Sequence, residues 1–381
     1  MSEAHILANA RIVTREAVVD GSVVLREGVI AALERGGTAP AGATNLGGDL
    51  LIPGLVELHT DNLEKHFSPR VGVEWDPVAA SISHDVQLAG SGITTVFDSL
   101  VIGAAPGWDM RDSWLRPMLG GLAHARSHGM LKIDHRLHLR CEVTHPEIGA
   151  LFESYADEPG LGVMSLMDHA PGDRQSPDIE AYKQRYRSSI GMSHEQVEAH
   201  VNALIEGSQR HGPGNRRLLG DHARRRGIAL ASHDDARLEH VEEAAALGCV
   251  VSEFPTTMEA AEAARAHGLQ VLMGAPNLIR GGSHSGNVAA GDLARAGLLD
   301  IISSDYIPAS LIMAAFRLAA EPFGMALPEA VATVTDNPAR AAGLDDRGRI
   351  EVGLRGDLVR VRLVDGRPVV RGVWVQGERV A

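Results

Sequence analysis

The strongest constraint on the fold of this chain is the alternation of short apolar runs with helix-like segments. Residues 77–89 carry apolar residues at helical spacing. Residues 237–247 and 257–267 are rich in Ala and Glu and end near Gly248 and Gly268, and glycine is the expected stop signal of a helix. Strands that alternate with helices predict a parallel sheet, and eight such units predict an α/β fold of the (β/α)8 TIM-barrel type. The eight strand-like runs end at Leu58, Asp98, Glu142, His169, His233, Glu253, Gly274 and Asp305.

Both ends of the chain have a different pattern, in which short alternating strands are separated by turns. Chain termini often lie close together in space. We therefore expect residues 1–52 and 350–381 to form one small β-sandwich domain, and residues 53–349 to form the barrel.

Side chains that can bind a metal ion follow the predicted strands at the expected mouth of the barrel. His59 and Asp61 lie two residues apart at the end of the first strand, so their side chains share one face. Taken alone, this pair fits a solvated turn equally well. The carboxyl ends of all eight strands meet at one mouth, however, which brings further residues to the same place. The predicted metal ligands are His59, Asp61, Glu142, His169 and His233.

Each predicted ligand also has an ordinary structural explanation. Glu142 could pair with Arg140 or cap a helix, and His169 could bond a backbone carbonyl. His233, which two aspartates follow, could belong to a solvated loop. Imidazole and carboxylate ligands together suit Zn, Mn or Fe, and we expect a divalent metal centre with two ions.

Asp305, at the end of the eighth strand, is the predicted catalytic residue. A bound divalent metal would activate a water molecule and polarise the oxygen under attack. Asp305 would then accept a proton as the general base. The alternative is that Asp305 caps the helix that begins near Pro308.

A glycine-rich segment directly after the seventh strand, residues 274–287, predicts an anion-binding loop. Glycines let backbone N–H groups approach an anion closely, and polar side chains add donors. A mobile loop without a ligand is the alternative. Further cationic side chains follow the first and fourth strands. The predicted substrate-binding residues are Lys65, His66, Arg70, Arg174, Arg280, Gly281, Gly282, Ser283, His284, Ser285 and Asn287.

The connection over residues 173–221 is long for a barrel of this kind. It either covers the active site or forms a surface helical hairpin or a subunit contact, as in a homo-oligomer. The sequence leaves these alternatives open.

The composition limits the partners of the protein. A formal net charge of -13 argues against nucleic acid and anionic membranes as partners. The predicted anion-binding loop indicates a small phosphorylated substrate, which metal ions and local cations must hold against this negative field. Cys141 and Cys249 are the only cysteines, so any metal must be held by imidazole and carboxylate groups. Since the sequence shows no apolar run of membrane length and no leader pattern, we expect a cytoplasmic protein.

Five runs of residues carry a likeness to a known family: residues 59–66, 232–235, 253–257, 281–287 and 304–306. Together they resemble the PhnM family of the carbon–phosphorus lyase pathway, within the amidohydrolase superfamily. The resemblance extends from about Ile6 to the C-terminus. It implies a metal-dependent hydrolase that converts α-D-ribose 1-methylphosphonate 5-triphosphate to the 5-phosphate and releases pyrophosphate.

Two features depart from the broader superfamily pattern. The first strand has His-x-Asp where His-x-His is usual, and the run after the sixth strand has no histidine. The resemblance therefore implies a rearranged ligand set, with Glu142 as the bridge and His169 and His233 as later ligands. A cyclic amidase, a deaminase and a catalytically silent scaffold subunit are the alternative functions.

Overall fold

A computed structural model of the chain describes residues 4–36, 39–103, 110–190, 192–283 and 286–381. The strands of these residues belong to two eight-stranded sheets. Strands from both chain ends form the first sheet: β1 His5–Val13, β2 Val18–Arg26, β3 Val29–Arg35, β4 Thr44–Asn45, β5 Leu50–Pro53, and, after the barrel, β14 Leu358–Val364, β15 Arg367–Val375 and β16 Glu378–Arg379. The second sheet is the barrel: β6 Leu55–Thr60, β7 Ile93–Ile102, β8 Asp134–Glu142, β9 Leu161–Met167, β10 Ala229–His233, β11 Val251–Glu253, β12 Gln270–Gly274 and β13 Ile301–Ser303.

Helices follow the barrel strands, as the alternating pattern predicts. They are α1 Asn62–Phe67, α2 Pro77–Gly90, α3 Met110–Ser127, α4 Ile148–Glu153, α5 Ile179–Ile190, α6 His194–Arg226, α7 Leu238–Leu247, α8 Met258–Ala266, α9 Ala275–Arg280, α10 Ala290–Arg295, α11 Ser310–Ala319, α12 Leu327–Ala332 and α13 Asp336–Ala341. No helix in the described part of the chain is both long enough and apolar enough to cross a membrane.

The eight barrel strands are parallel, and each pairs with its neighbour in chain order. The barrel closes where the last strand meets the first, through a parallel bridge between Thr60 and Asp305. The buried Glu57 carboxylate reinforces this closure, because it accepts the backbone N–H of His59 at 2.8 Å and that of Ser304 at 2.6 Å. The predicted fold class is confirmed.

The end strands form a mixed sheet that curls over its own apolar core. An isolated bridge joins Val29 of β3 to Arg355, just before β14, although three strands separate β3 from β14 in the sheet order. The core inside the curl includes Leu7, Ile30 and Trp374. The sheet is thus built from both chain ends, whereas the domain boundaries at residues 52 and 350 stay a prediction.

The long connection over residues 173–221 contains α5 and most of α6. Helix α6 begins with a capping box between Ser193 and Gln196, and it ends at Gly227, whose φ is 65°. The two helices share a separate apolar cluster with Tyr182 and Tyr186 from α5 and Val197 from α6. The connection is therefore an ordered helical hairpin, and its role as a cover or a contact stays a prediction.

Candidate metal centre and substrate cleft

A cleft of about 330 Å³ opens at the carboxyl ends of the barrel strands. His59, His233 and Asp305 line it, so side chains from the first, fifth and eighth strands meet as the sequence predicts. Residues of the segment after β12 form another part of its wall. The cleft is thus where the predicted metal ligands and the predicted anion-binding segment come together.

Two buried histidines face one carboxylate at the floor of this cleft. The Nδ1 atoms of His59 and His233 each lie 3.2 Å from a different oxygen of Glu253, the last residue of β11. The imidazole rings are stacked, with centroids 5.7 Å apart. Burial opposes ionisation of Glu253, but the charge of His59 and the hydrogen bonds from His233 and His59 outweigh it and hold the pKa of Glu253 well below the usual range.

Glu142 lies behind His169 and supports it. The Nδ1 atom of His169 lies 2.6 Å from Oε2 of Glu142, and the Thr144 hydroxyl donates to Oε1 at 3.0 Å. Burial lowers the pKa of His169, but the Glu142 carboxylate outweighs this effect and raises it. An imidazole that binds one carboxylate through Nδ1 keeps Nε2 for a metal ion, which is a common arrangement around metal-binding histidines.

The donor set fits a divalent metal ion. His169, His233 and Asp234 form one group whose ligand atoms lie within 4.8 Å of one another, and His59, His138 and Glu253 form another. Oδ2 of Asp234 is buried and has no hydrogen-bond partner in the described part of the chain. A buried carboxylate oxygen without a partner is costly, and a cation would satisfy it.

His138 is close to the centre but has other partners. Its Nδ1 lies 2.8 Å from the Leu58 carbonyl, and its Nε2 lies 2.9 Å from the Ser165 hydroxyl. Burial lowers the pKa of His138 to about 3, so the ring is neutral. These bonds hold β8 against β6 and β9. In the group of His59, His138 and Glu253, the candidate metal ligands are therefore His59 and Glu253.

Asp61 lines the same cleft as His59 and His233, and its role as a metal ligand stays a prediction. Its Oδ1 accepts a hydrogen bond of 2.5 Å from Nη1 of Arg140, a buried residue of β8. None of the three candidate metal groups of the described residues contains Asp61. The structure also excludes the alternative in which Arg140 pairs with Glu142, because the guanidinium lies at Asp61 instead.

Asp305 lines the cleft and does not cap a helix. Helix α11 begins at Ser310, and the residue before it is Ala309. Burial and the nearby Asp61 carboxylate raise the pKa of Asp305. A carboxylate with a raised pKa at the wall of a cleft fits the role of a general base.

Strained backbone marks the ends of three strands around the cleft. Asp234, Phe254 and Asp305 follow β10, β11 and β13 closely, and each has a positive φ of 54–55°. Aspartate tolerates this conformation, but for phenylalanine it is unfavourable. Such residues cluster at functional sites, where the surrounding structure holds them in place.

Part of the predicted substrate-binding set lines the cleft. Arg280, Gly282, Ser283 and Asn287 do so, whereas His284 and Ser285 lie outside the described residues. The predicted glycine-rich loop begins differently from expectation, because its first six residues after Gly274 form helix α9. Pro at the second position suits a helix start, and Gly281, with a φ of 84°, ends the helix.

The other predicted cations lie beside the cleft or away from it. Lys65 donates to the carbonyl of Tyr306, which lines the cleft, and its ammonium lies 5.0 Å from the centroid of the Tyr306 ring. His66 contacts Gln87 instead, and Arg70 forms an isolated bridge with Val73. Their roles in substrate binding stay predictions.

Arg174 is buried behind the centre. Its Nη1 donates to the His233 carbonyl at 3.0 Å and to Asp235 at 2.8 Å. The Asp235 carboxylate also accepts bonds from the hydroxyls of Ser232 and Ser252. These contacts fix the backbone that carries His233, so the guanidinium supports the centre from outside the cleft.

Sequence reasoning overlooked Glu253, Asp234 and Arg140. Glu253 ends the sixth strand, where the sequence lacks the usual histidine, and this carboxylate is absent from the predicted metal ligands. Asp234 directly follows His233 and is also absent from the predicted metal ligands. Position at a strand end would have identified the two acidic residues, whereas the pairing of Arg140 with Asp61 depends on packing that no sequence pattern reveals.

Comparison with known proteins agrees with this architecture. A model described as "Amidohydrolase family" matches residues 210–381. N-acetylglucosamine-6-phosphate deacetylase from Pasteurella multocida has a TM-score of 0.63 at 15% identity, with full coverage of both chains. A 5-methylcytosine deaminase from Klebsiella pneumoniae has a TM-score of 0.66 at 16% identity, over 99% of this chain and 98% of the other. At such identities the two structures show the fold alone, a (β/α)8 barrel with a small sheet domain built from both chain ends.

A relative from Escherichia coli (strain K12) narrows the family further. The alpha-D-ribose 1-methylphosphonate 5-triphosphate diphosphatase of that organism is 45% identical over 376 residues, which are 98% of this chain and 100% of the relative. The chain belongs to the family of this diphosphatase.

Proposed function

We propose that the protein hydrolyses α-D-ribose 1-methylphosphonate 5-triphosphate to the 5-phosphate and pyrophosphate. The observation that carries the proposal is the 45% identity to the Escherichia coli diphosphatase over essentially the whole of both chains. Water adds across the anhydride bond between the α and β phosphoryl groups, and the two terminal phosphoryl groups leave together as pyrophosphate. The cleft supports this proposal because it combines buried metal-type donors with Arg280 and a glycine-rich segment.

The proposed metal centre uses a different ligand set from the one predicted from sequence. His59, His233 and Glu253 would hold one divalent cation, and His169 and Asp234 would contribute to a second, which keeps the two-ion expectation. Zn, Mn and Fe all suit these donors. When bound, such cations supply Lewis-acid activation of water and of a phosphoryl oxygen.

Residues of the chain perform the remaining steps. Asp305 is placed to accept the proton of the attacking water, since its carboxylate lines the cleft beside His59. Arg280, Ser283 and Asn287 line the same cleft and carry donors suited to phosphoryl oxygens. The anionic substrate is thereby bound in spite of the net charge of -13.

We also propose that the protein works in the cytoplasm on a small-molecule substrate alone, without nucleic acid or membrane. Both cysteines are free and buried, which suits a reducing compartment. A homo-oligomer stays a prediction.

Pyrophosphate release from the ribose triphosphate, followed by ³¹P NMR, tests the proposed function. We expect metal-loaded wild type to release pyrophosphate, and His59→Ala to lose both metal and activity. Asp305→Asn should keep its metal but lose about 10²- to 10⁴-fold in rate, because the general base is removed. Equal rates for wild type and His59→Ala would reject the proposal, as would faster hydrolysis of a neutral cyclic amide, which would favour an amidase.

A further inference from the structure

Arg140 has an unusual position, because it is a buried arginine at the wall of the cleft. It lies on β8, is 7% exposed, and lines the cleft together with His59 and Asp305. Nη1 is bound to Asp61 at 2.5 Å. Nε is buried and has no hydrogen-bond partner in the described part of the chain. A buried guanidinium with a free donor is costly unless a ligand completes its bonding.

Several carboxylates surround this guanidinium. Burial alone would lower the pKa of Arg140, but Asp61, Glu64 and Glu253, with Asp305 as a further contributor, raise it. The arginine is therefore charged at all accessible pH values. It cancels part of the negative field at the wall of the cleft where an anionic substrate must approach.

Asp61 has the geometry of a positioning residue. One of its oxygens accepts the Arg140 hydrogen bond, and both candidate metal groups at the cleft in the described chain form without it. Burial opposes its ionisation, but Arg140 outweighs this effect and lowers the pKa of Asp61. The carboxylate is thus a fixed anion that holds the guanidinium in one orientation.

We propose that Arg140 binds a phosphoryl oxygen of the substrate beside the metal centre, and that Asp61 positions Arg140 and is not itself a metal ligand. A planar guanidinium offers several donors in a fixed fork, and Asp61 uses one of them. A phosphoryl oxygen would take up the donors that remain. The inference rests on the proposed function, which it extends by naming the residue that receives the phosphate chain.

Binding and metal content test the proposal together. Pyrophosphate is titrated into metal-loaded protein by calorimetry, and bound metal is counted by elemental analysis after dialysis. Arg140→Met should keep the wild-type metal content and bind pyrophosphate about ten- to hundredfold more weakly, because a charged hydrogen bond is lost. Arg140→Lys, which keeps the charge but not the fork, should also bind weakly.

Asp61→Asn separates the two possible roles of the aspartate. We expect unchanged metal content and a pyrophosphate affinity several-fold lower than that of wild type, since the amide anchors the guanidinium less well. Loss of metal in Asp61→Asn would show that Asp61 is a ligand and would overturn the proposal. This variant also keeps the proposal testable if Arg140→Met does not fold.

Two surface variants serve as matched controls. Arg136→Met lies on the same strand and removes a partly exposed arginine, and Asp157→Asn removes an exposed carboxylate. Both should bind pyrophosphate as wild type does. Wild-type affinity in Arg140→Met and Arg140→Lys, with metal retained, would reject the assignment of Arg140.

The proposed function can fail separately from this inference. A wild-type protein that releases no pyrophosphate from the ribose triphosphate would reject the function. In that case, weak pyrophosphate binding by the Arg140 variants would still support the assignment of Arg140 as an anion-binding residue.

Discussion

In the proposed metal centre, Glu253 takes the role that sequence reasoning assigned to Glu142. Its two oxygens face His59 and His233 at equal distances of 3.2 Å, as a carboxylate between two ligand histidines should. Glu142 contacts one histidine, His169, whose Nδ1 lies 2.6 Å from its Oε2. Both are buried glutamates at strand ends, so only the direction of the side chain separates a ligand from its support.

Metal content should therefore respond differently to two equivalent substitutions. Glu253→Gln removes a charged ligand, and we expect it to leave no stoichiometric metal after dialysis. Glu142→Gln keeps an acceptor for His169 Nδ1, so it should keep its metal with an affinity lowered about 10- to 100-fold. Competition with a fluorescent chelator measures both. Tighter metal binding by Glu253→Gln than by Glu142→Gln would contradict this assignment.

A second network of histidine and aspartate connects helix α2 to two barrel strands. Asp98 of β7 accepts bonds from His84 of α2 at 2.7 Å and from His135 of β8 at 2.8 Å. The backbone N–H groups of Lys132 and Ile133 donate to Asp85 of α2, which also lies 3.3 Å from His135. His84, Asp98 and His135 form a third candidate metal group, but the distances of 2.7 and 2.8 Å between them are those of direct hydrogen bonds. The network therefore fixes the helix to the barrel.

The same network should make stability depend on pH. Burial lowers the pKa of His135, but Asp98 and Asp85 outweigh it and raise the value from 6.5 to about 9. Protonated His135 thus stabilises the fold fully below pH 6.5, and this contribution is lost as the pH rises through about 9. The raised pKa corresponds to at most about 3 kcal/mol.

Urea unfolding at pH 6 and pH 9.5 measures this effect. We expect wild type to lose more stability between the two pH values than His135→Asn, which lacks the titrating group. His128→Asn, an exposed histidine, is the control and should follow wild type. Parallel profiles for wild type and His135→Asn would contradict the assignment.

The elements themselves were largely predictable from the sequence. Apolar periodicity predicted eight barrel strands, and Gly248 marked the end of helix α7 because a left-handed residue stops a helix there. Helix α9 was missed, because glycines around a six-residue segment outweighed its short helical signal. The positions of the candidate ligands were predicted from the ends of the strands. The pairing of Asp61 with Arg140 was not, because periodicity predicts the face on which a side chain lies and not the residue that it contacts.

Two buried carboxylates, Asp336 and Glu57, connect parts of the molecule that are far apart in the sequence. Asp336 of α13 accepts bonds from Arg15, between β1 and β2, at 2.5 Å and from Arg349, before β14, at 2.7 Å. Glu57 joins the first and last barrel strands in the same way. Burial raises the pKa of Glu57 to about 7 although its hydrogen bonds oppose this shift. Buried carboxylates thereby hold both chain ends and the closure of the barrel, although the side chain of Arg15 is 54% exposed.

Metal binding should stabilise the entire barrel, because the candidate ligands come from strands around its circumference. His59 lies in β6, and His169 lies two residues after the end of β9. His233 and Glu253 are the last residues of β10 and β11. A ligand that binds only the folded state adds about 4 kcal/mol when its free concentration is a thousandfold above Kd. We expect a chelator to lower the thermal midpoint by several degrees and added metal to restore it. Calorimetric scans of wild type and Glu253→Gln, each with and without metal, measure this coupling. The variant should show no shift, and an equal shift in both proteins would mean that the stabilising ion binds somewhere other than this centre.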